Sequence, residues 1–391
     1  MAIDWAMDAY HRERQRTAGK LQDARERSTD AGRNRGAVPE PIVIVGAGAI
    51  GGTIGAHLAR QGRAVLLVDA ARDHVEAVGR DGLHIEGRDT FTVRVPAVTP
   101  DGLRAALGER PARTVMLAVK AQHTAAGLDV VAPILAEDGY VVSMQNGLNE
   151  RAIAARLGAA RTVGAFINFG ADYHAPGRIM YGGPGALYLG ELNGESTPRV
   201  EALGDMMRDA FLPNTTITRN IWGYLWGKMG YASMLFATAV VDETMAAVLG
   251  DAANEALLAN LAAEVTAVAE AEDVRCEAFD GYEPDAVRFR RPRDWAGVRR
   301  SLDALVEHNR GSLKQKSGIW RDLAVRRRRT EVDSQIGEIV KIGQARGMDL
   351  PLNVRLIEMI HDLESGNRTM HPDNLAELRR LNDTVYPGAR R

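Results

Sequence analysis

Three glycines, Gly46, Gly48 and Gly51, come directly after the apolar run Pro41–Val45 (PIVIV) and open a stretch of helical character. A strand, a glycine-rich turn and a helix in that order dictate a parallel α/β unit. Gly46 permits the tight turn, and Gly48 lets a ligand approach the backbone. Gly51 lets the helix pack closely on the strand. The first helical residues, Ala49, Ile50 and Gly51, then present unpaired N–H groups and the positive end of the helix dipole, a site for a pyrophosphate. The next strand, Ala64–Val68 (AVLLV), ends at Asp69, 23 positions after Gly46. A carboxylate there accepts hydrogen bonds from ribose hydroxyls and repels a 2′-phosphate, which points to NAD over NADP. Arg72 lies close by and offers a phosphate partner. The plainer reading of Asp69 is a turn-forming aspartate.

The strand signature recurs at Thr114–Val119 and Gly139–Met144, with helical spacers between. Such alternation implies a right-handed parallel sheet covered by helices. From Thr162 to Glu191, segments alternating around glycine pairs predict shorter antiparallel strands. Beyond about Asn220 the strand signals stop. Met234–Val241, Ala252–Glu270, Val298–His308 and Val332–Arg346 read as helices, and Phe279–Asp294 as a loop. The expected fold class is α/β, with an N-terminal Rossmann-type domain over 41–219 and an all-helical domain over 220–391. Residues 1–40 are expected to be a charged, solvated extension, the alternative being an oligomerisation or partner arm carried by Trp5, Met7 and Tyr10.

Lys plus Arg is 49 and Asp plus Glu 51, a formal net charge of −2 that gives no electrostatic basis for nucleic-acid binding. The four-arginine run Arg326–Arg329 is read as a solvated helix end or an anion-facing edge. Cys276 is alone, which excludes an internal disulfide and a multi-cysteine metal centre. No metal site is expected. No apolar run reaches about 18 residues, so no membrane span is expected. The N-terminus lacks the apolar core of a secretory signal, leaving the cytoplasm as the expected compartment.

Three polar features sit where ligands bind in open α/β sheets, outside the carboxyl ends of strands or at the entry to the helical part. These are Lys120 in LAVKAQ, Asn146 in SMQNGLNE, and Lys228 in Trp222–Lys228 (WGYLWGK). Together with IVGAGAIGG (44–52), TEVDSQIGEIV (330–340) and Gly347–Asn353, they resemble the ketopantoate reductase (2-dehydropantoate 2-reductase) family, from about Pro41 to Leu363. The resemblance implies an active site between a Rossmann domain and a helical domain. It also implies Lys228 as the general acid that protonates a carbonyl oxygen as hydride arrives, supported by Glu331. Asn146 is implied beside nicotinamide and substrate, Lys120 beside the cofactor, and Ser317 on the substrate. The chemistry is consistent with this: a nearby ammonium stabilises the developing alkoxide and supplies its proton.

The chain resembles a divergent member of that family. The family's asparagines four and eight residues after the lysine are replaced by Ala232 and Phe236, and that of its T-E-[IV]-D-x-x-N-G segment by Ile336. Loss of three amides predicts a more apolar pocket wall at Ala232 and Phe236. The expected activity is therefore NAD(P)-dependent interconversion of a carbonyl and an alcohol on a small, fairly apolar substrate. True 2-dehydropantoate 2-reductase is the alternative, and a non-catalytic dinucleotide-binding protein the alternative of another class. The expected partners are a small-molecule substrate and a second copy in a homodimer, with neither nucleic acid nor membrane.

Overall fold

The computed structural model describes residues 40–387 apart from 109 and 291; the expected extension over residues 1–40 lies outside these, save Glu40. Ten strands form one sheet: β1 Ile42–Val45, β2 Val65–Val68, β3 Leu83–Gly87, β4 Phe91–Val93, β5 Ala97–Val98, β6 Ala112–Leu117, β7 Leu135–Ser143, β8 Thr162–Ala175, β9 Arg178–Glu191 and β10 Thr216–Ile217. Their order is β4-β3-β9-β8-β7-β6-β1-β2-β5, with β10 added beside β9. From β5 through β8 every pairing is parallel. Strand β1 is wholly buried from Val43 onward and β2 throughout, as a sheet covered on both faces requires.

The helices among the strands are α1 Ala49–Arg60, α2 Arg72–Asp81, α3 Thr124–Val131, α4 Glu150–Leu157 and α5 Pro198–Ala210. After β10 come α6 Ile221–Thr238, α7 Glu255–Ala271, α8 Trp295–Gly311, α9 Gly318–Ala324, α10 Ile336–Ala345, α11 Pro351–Ser365 and α12 Pro372–Val385, with short turns at Met245–Gly250 and Pro284–Val287. Two apolar clusters line the two faces of the sheet, and a third fills the helical part around α6 and α7. Among the described residues no helix is long and apolar enough to cross a membrane.

Two expectations change. The stretch 162–191 holds two 14-residue antiparallel strands in place of several short ones. The glycine pairs act inside the ladder as irregularities in register around Asn168–Ala171, and the reversal falls at Pro176–Gly177. A Cβ on Gly185 would sit 1.9 Å from Asn168 O, so this position brings two backbones closer than any side chain allows. Helix α6 also starts earlier than the apolar pattern suggested, at Ile221, which places Trp222–Lys228 inside it.

Gly185→Ala is expected to lower unfolding free energy by about 1–3 kcal/mol through backbone displacement. On the exposed face of α2, Gly79→Ala meets nothing within 4 Å and should raise it by about 0.5–1 kcal/mol. Urea denaturation of the two variants reads both signs.

Candidate active site

The glycine turn is built as a cofactor cradle. Gly46 has φ +97°, and a Cβ on it would lie 2.7 Å from the Ala118–Val119 backbone at the exit of β6. A Cβ on Gly51 would lie 2.0 Å from Gly46 O, so helix and turn touch through bare backbone. Gly48 is the N-cap of α1, without a side-chain cap, and a Cβ there would meet nothing within 4 Å. The first turn, with Ala49 and Ile50 half-buried, carries no acidic residue. This open, uncapped, positive helix end fits a pyrophosphate.

Asp69 braces the cradle. Its Oδ2 accepts from Ala47 N–H at 2.8 Å and its Oδ1 from Ala71 N–H at 2.9 Å. Each carboxylate oxygen retains acceptor capacity for a hydroxyl. His74, fully buried, grips the other side of Ala47. Its Nδ1 accepts from Gly177 N–H at 3.0 Å, so Nε2 holds the proton and donates to Ala47 O at 3.0 Å. Nothing in the sequence pattern singled out His74.

The chemistry-bearing side chains converge from four elements. Lys120, just past β6, contacts Asp322 of α9 and lies 3.7 Å from Glu331 Oε2, while Ala121 N–H donates to Glu331 Oε1 at 2.8 Å. Asp322 is almost wholly buried and also receives Arg326 and Arg328. Glu331 is therefore fastened to the end of β6. At the end of β7, Gln145 donates to Val119 O and Thr124 Oγ1, both at 2.9 Å, and Asn149 donates to Asn146 O at 2.7 Å. These bonds fix the backbone beneath Asn146.

Lys228 projects from α6 onto this platform. Its Nζ donates to Asn146 Oδ1 at 2.7 Å and to Ile167 O on β8, and it lies 5.2 Å from the Phe166 ring. Burial pushes the ammonium down to about 8; Glu331, Asp280 and Glu150 pull upward and Lys314 downward. Asp280 is held by Asn168 Nδ2 at 2.5 Å. Glu150, fully buried in the first turn of α4, is pushed up to about 8 by burial and is largely neutral at pH 7.

The expected substrate wall differs. Phe236 and Ile336 have no exposed surface, and Ala232 is buried with them in the helical core. Because α6 is covered on nearly every side, Ala232 and Phe236 pack within the helical core among the described residues. Ser317 is also buried; its Oγ caps α9, accepting from Trp320 N–H at 3.1 Å. The arginine run is more engaged than a solvated end. Arg326 pairs with both Asp172 and Asp322, and Arg327 has φ +46°.

Residues 42–194 match the family model described as ketopantoate reductase PanE/ApbA, and residues 220–364 match its C-terminal counterpart. The 2-dehydropantoate 2-reductase of Mesorhizobium japonicum is 32% identical over 261 residues, 60% of this chain and 77% of that protein. That of Pyrococcus horikoshii is 28% identical over 324 residues, 83% of this chain and 97% of its own. A PanE/ApbA family ketopantoate reductase structure from Ralstonia eutropha JMP134 superposes with TM-score 0.68 at 25% identity, covering 83% and 99% of the two chains. D-mandelate dehydrogenase with NADH and anilino(oxo)acetate shares the fold, with TM-score 0.70 at 22% identity over 83% and 98%.

The cradle, the lysine and these relatives define an NAD(P)-dependent oxidoreductase acting on CH–OH groups. The chain belongs to the ketopantoate reductase family.

His74→Ala leaves Gly177 N–H and Ala47 O without their partner. It is expected to cost about 1–3 kcal/mol of unfolding free energy and to weaken NADH binding, read by fluorescence titration. Unchanged stability and affinity contradict the clamp.

Proposed function

We propose that the chain reduces a 2-oxo acid to the 2-hydroxy acid with NAD(P)H, and that 2-dehydropantoate is the first substrate to test. The observation that carries this is the setting of Lys228: half-buried, held by Asn146 Oδ1 and Ile167 O, and without a carboxylate at ion-pair distance among the described residues. The relatives named for 2-dehydropantoate support this substrate over the small apolar one expected from the amide losses. Burial of Phe236 and Ile336 in the helical core supports the same choice.

The cofactor supplies hydride when bound, and Ala49, Ile50, Gly51 and Asp69 are the residues to hold it. Lys228 orients the carbonyl oxygen by donating to it, then releases a proton from Nζ to the alkoxide. A value of about 8 leaves most of the ammonium charged at pH 7 while keeping the transfer favourable. Glu331, fixed by Ala121 N–H and facing Lys120, keeps a negative field near the acid and draws the proton back onto Lys228. Asn146 holds Nζ in place. Asp69 without a following arginine supports NAD over NADP.

Lys228→Ala is expected to lower kcat for 2-dehydropantoate reduction by about 10²–10⁴-fold, followed as NADH or NADPH oxidation. The general acid must be protonated, so kcat/KM for reduction should fall as pH rises through about 8. A variant as active as the native chain contradicts the assignment.

A further inference from the structure

Around the 312–331 segment the cations outnumber the carboxylates that hold them. The segment between α8 and α9 folds onto β8, with Ser312 Oγ packed over Gly170. From this segment Lys314 reaches along the strand, and its Nζ makes one long contact, 3.4 Å, to Ala171 O. Among the described residues no carboxylate lies within ion-pair distance of it. Lys228 and Lys314 both donate to backbone carbonyls of β8, Ile167 O and Ala171 O, and the charge on Lys314 disfavours the charged form of Lys228. Burial likewise disfavours the charged form of Lys314.

Arg321 reaches the next residue of the same strand, Asp172. Its Nη1 is 2.8 Å from Asp172 Oδ2, while its Nε is buried without any acceptor. The nearby carboxylates are already shared. Asp172 serves Arg321 and Arg326, and Asp322 serves Lys120, Arg326 and Arg328. A partly desolvated ammonium without a counter-ion and a buried Nε–H without an acceptor are both unfavourable, and a bound anion relieves both costs.

We propose that Lys314 and the Nε of Arg321 receive an oxyanion of the substrate, carboxylate or phosphate. They thereby supply the recognition that Ala232, Phe236 and Ile336 cannot. This rests on the reductase reading and deepens it: Lys314 and Arg321 are the groups that hold the anionic end of the substrate. Lys314 is a specificity-determining residue, distinct from the acid at Lys228.

The test is isothermal titration of the full chain at low ionic strength with malonate and, separately, with inorganic phosphate. At least one should bind; malonate alone indicates a carboxylate substrate, and phosphate alone a phosphate ester. Lys314→Met should weaken that binding about tenfold or more. Lys314→Arg should retain it, which separates lost charge from lost fold. Lys316→Met, whose ammonium pairs with Asp242, should leave it unchanged. The proposal is overturned by no binding of either anion to the native chain. It is equally overturned if Lys314→Met binds like the native chain, if Lys314→Arg loses binding as Lys314→Met does, or if Lys316→Met loses as much. A chain that binds the anion through Lys314 yet reduces no carbonyl contradicts the reductase reading alone.

Discussion

The site is organised around an ammonium that has no salt-bridge partner among the described residues. Lys228 is bound by an amide oxygen and a backbone carbonyl, both neutral. Lys120, on the opposite side, faces two carboxylates. The contrast assigns the two lysines different work. A lysine paired with Asp322 and Glu331 fastens β6 to α9 and to Glu331, whereas one held by neutral acceptors in a partly desolvated place can give up its proton near neutral pH.

The rest of the fold serves that placement. Parallel strands β1, β6 and β7 bring the glycine turn, Lys120 and Asn146 to one edge of the sheet. Strand β8 extends that edge and offers Ile167 O to Lys228 and Ala171 O to Lys314. The segment from 312 to 331 then fastens the helical part to this edge through Asp322 and Glu331. Asp69 and His74 hold the N–H and C=O of Ala47, so the turn meant for a cofactor is rigid from both sides.

The strand–turn–helix order, the parallel sheet and the helical second half are legible in the sequence because period and glycine spacing are local signals. Lys120, Asn146, Lys228 and Glu331 are also legible, since each sits at a strand end or in a recognisable string, and the structure brings all four together. The roles at Ala232, Phe236 and Ile336 were not. Whether an apolar substitution lines a pocket or thickens a core depends on tertiary packing, and α6 is buried on nearly all sides. His74, Asp172, Lys314 and Arg321 escaped notice for a related reason. Their partners lie on elements remote in sequence, and the arginine run concealed which cations find carboxylates.

The most direct test is the titration of Lys228 itself. The chain has six lysines, so NMR of lysine labelled with carbon-13 at Cε resolves each, and the signal lost in Lys228→Arg identifies residue 228. The account predicts that this signal titrates near 8. Titration at the ordinary lysine value of 10.5 would contradict it.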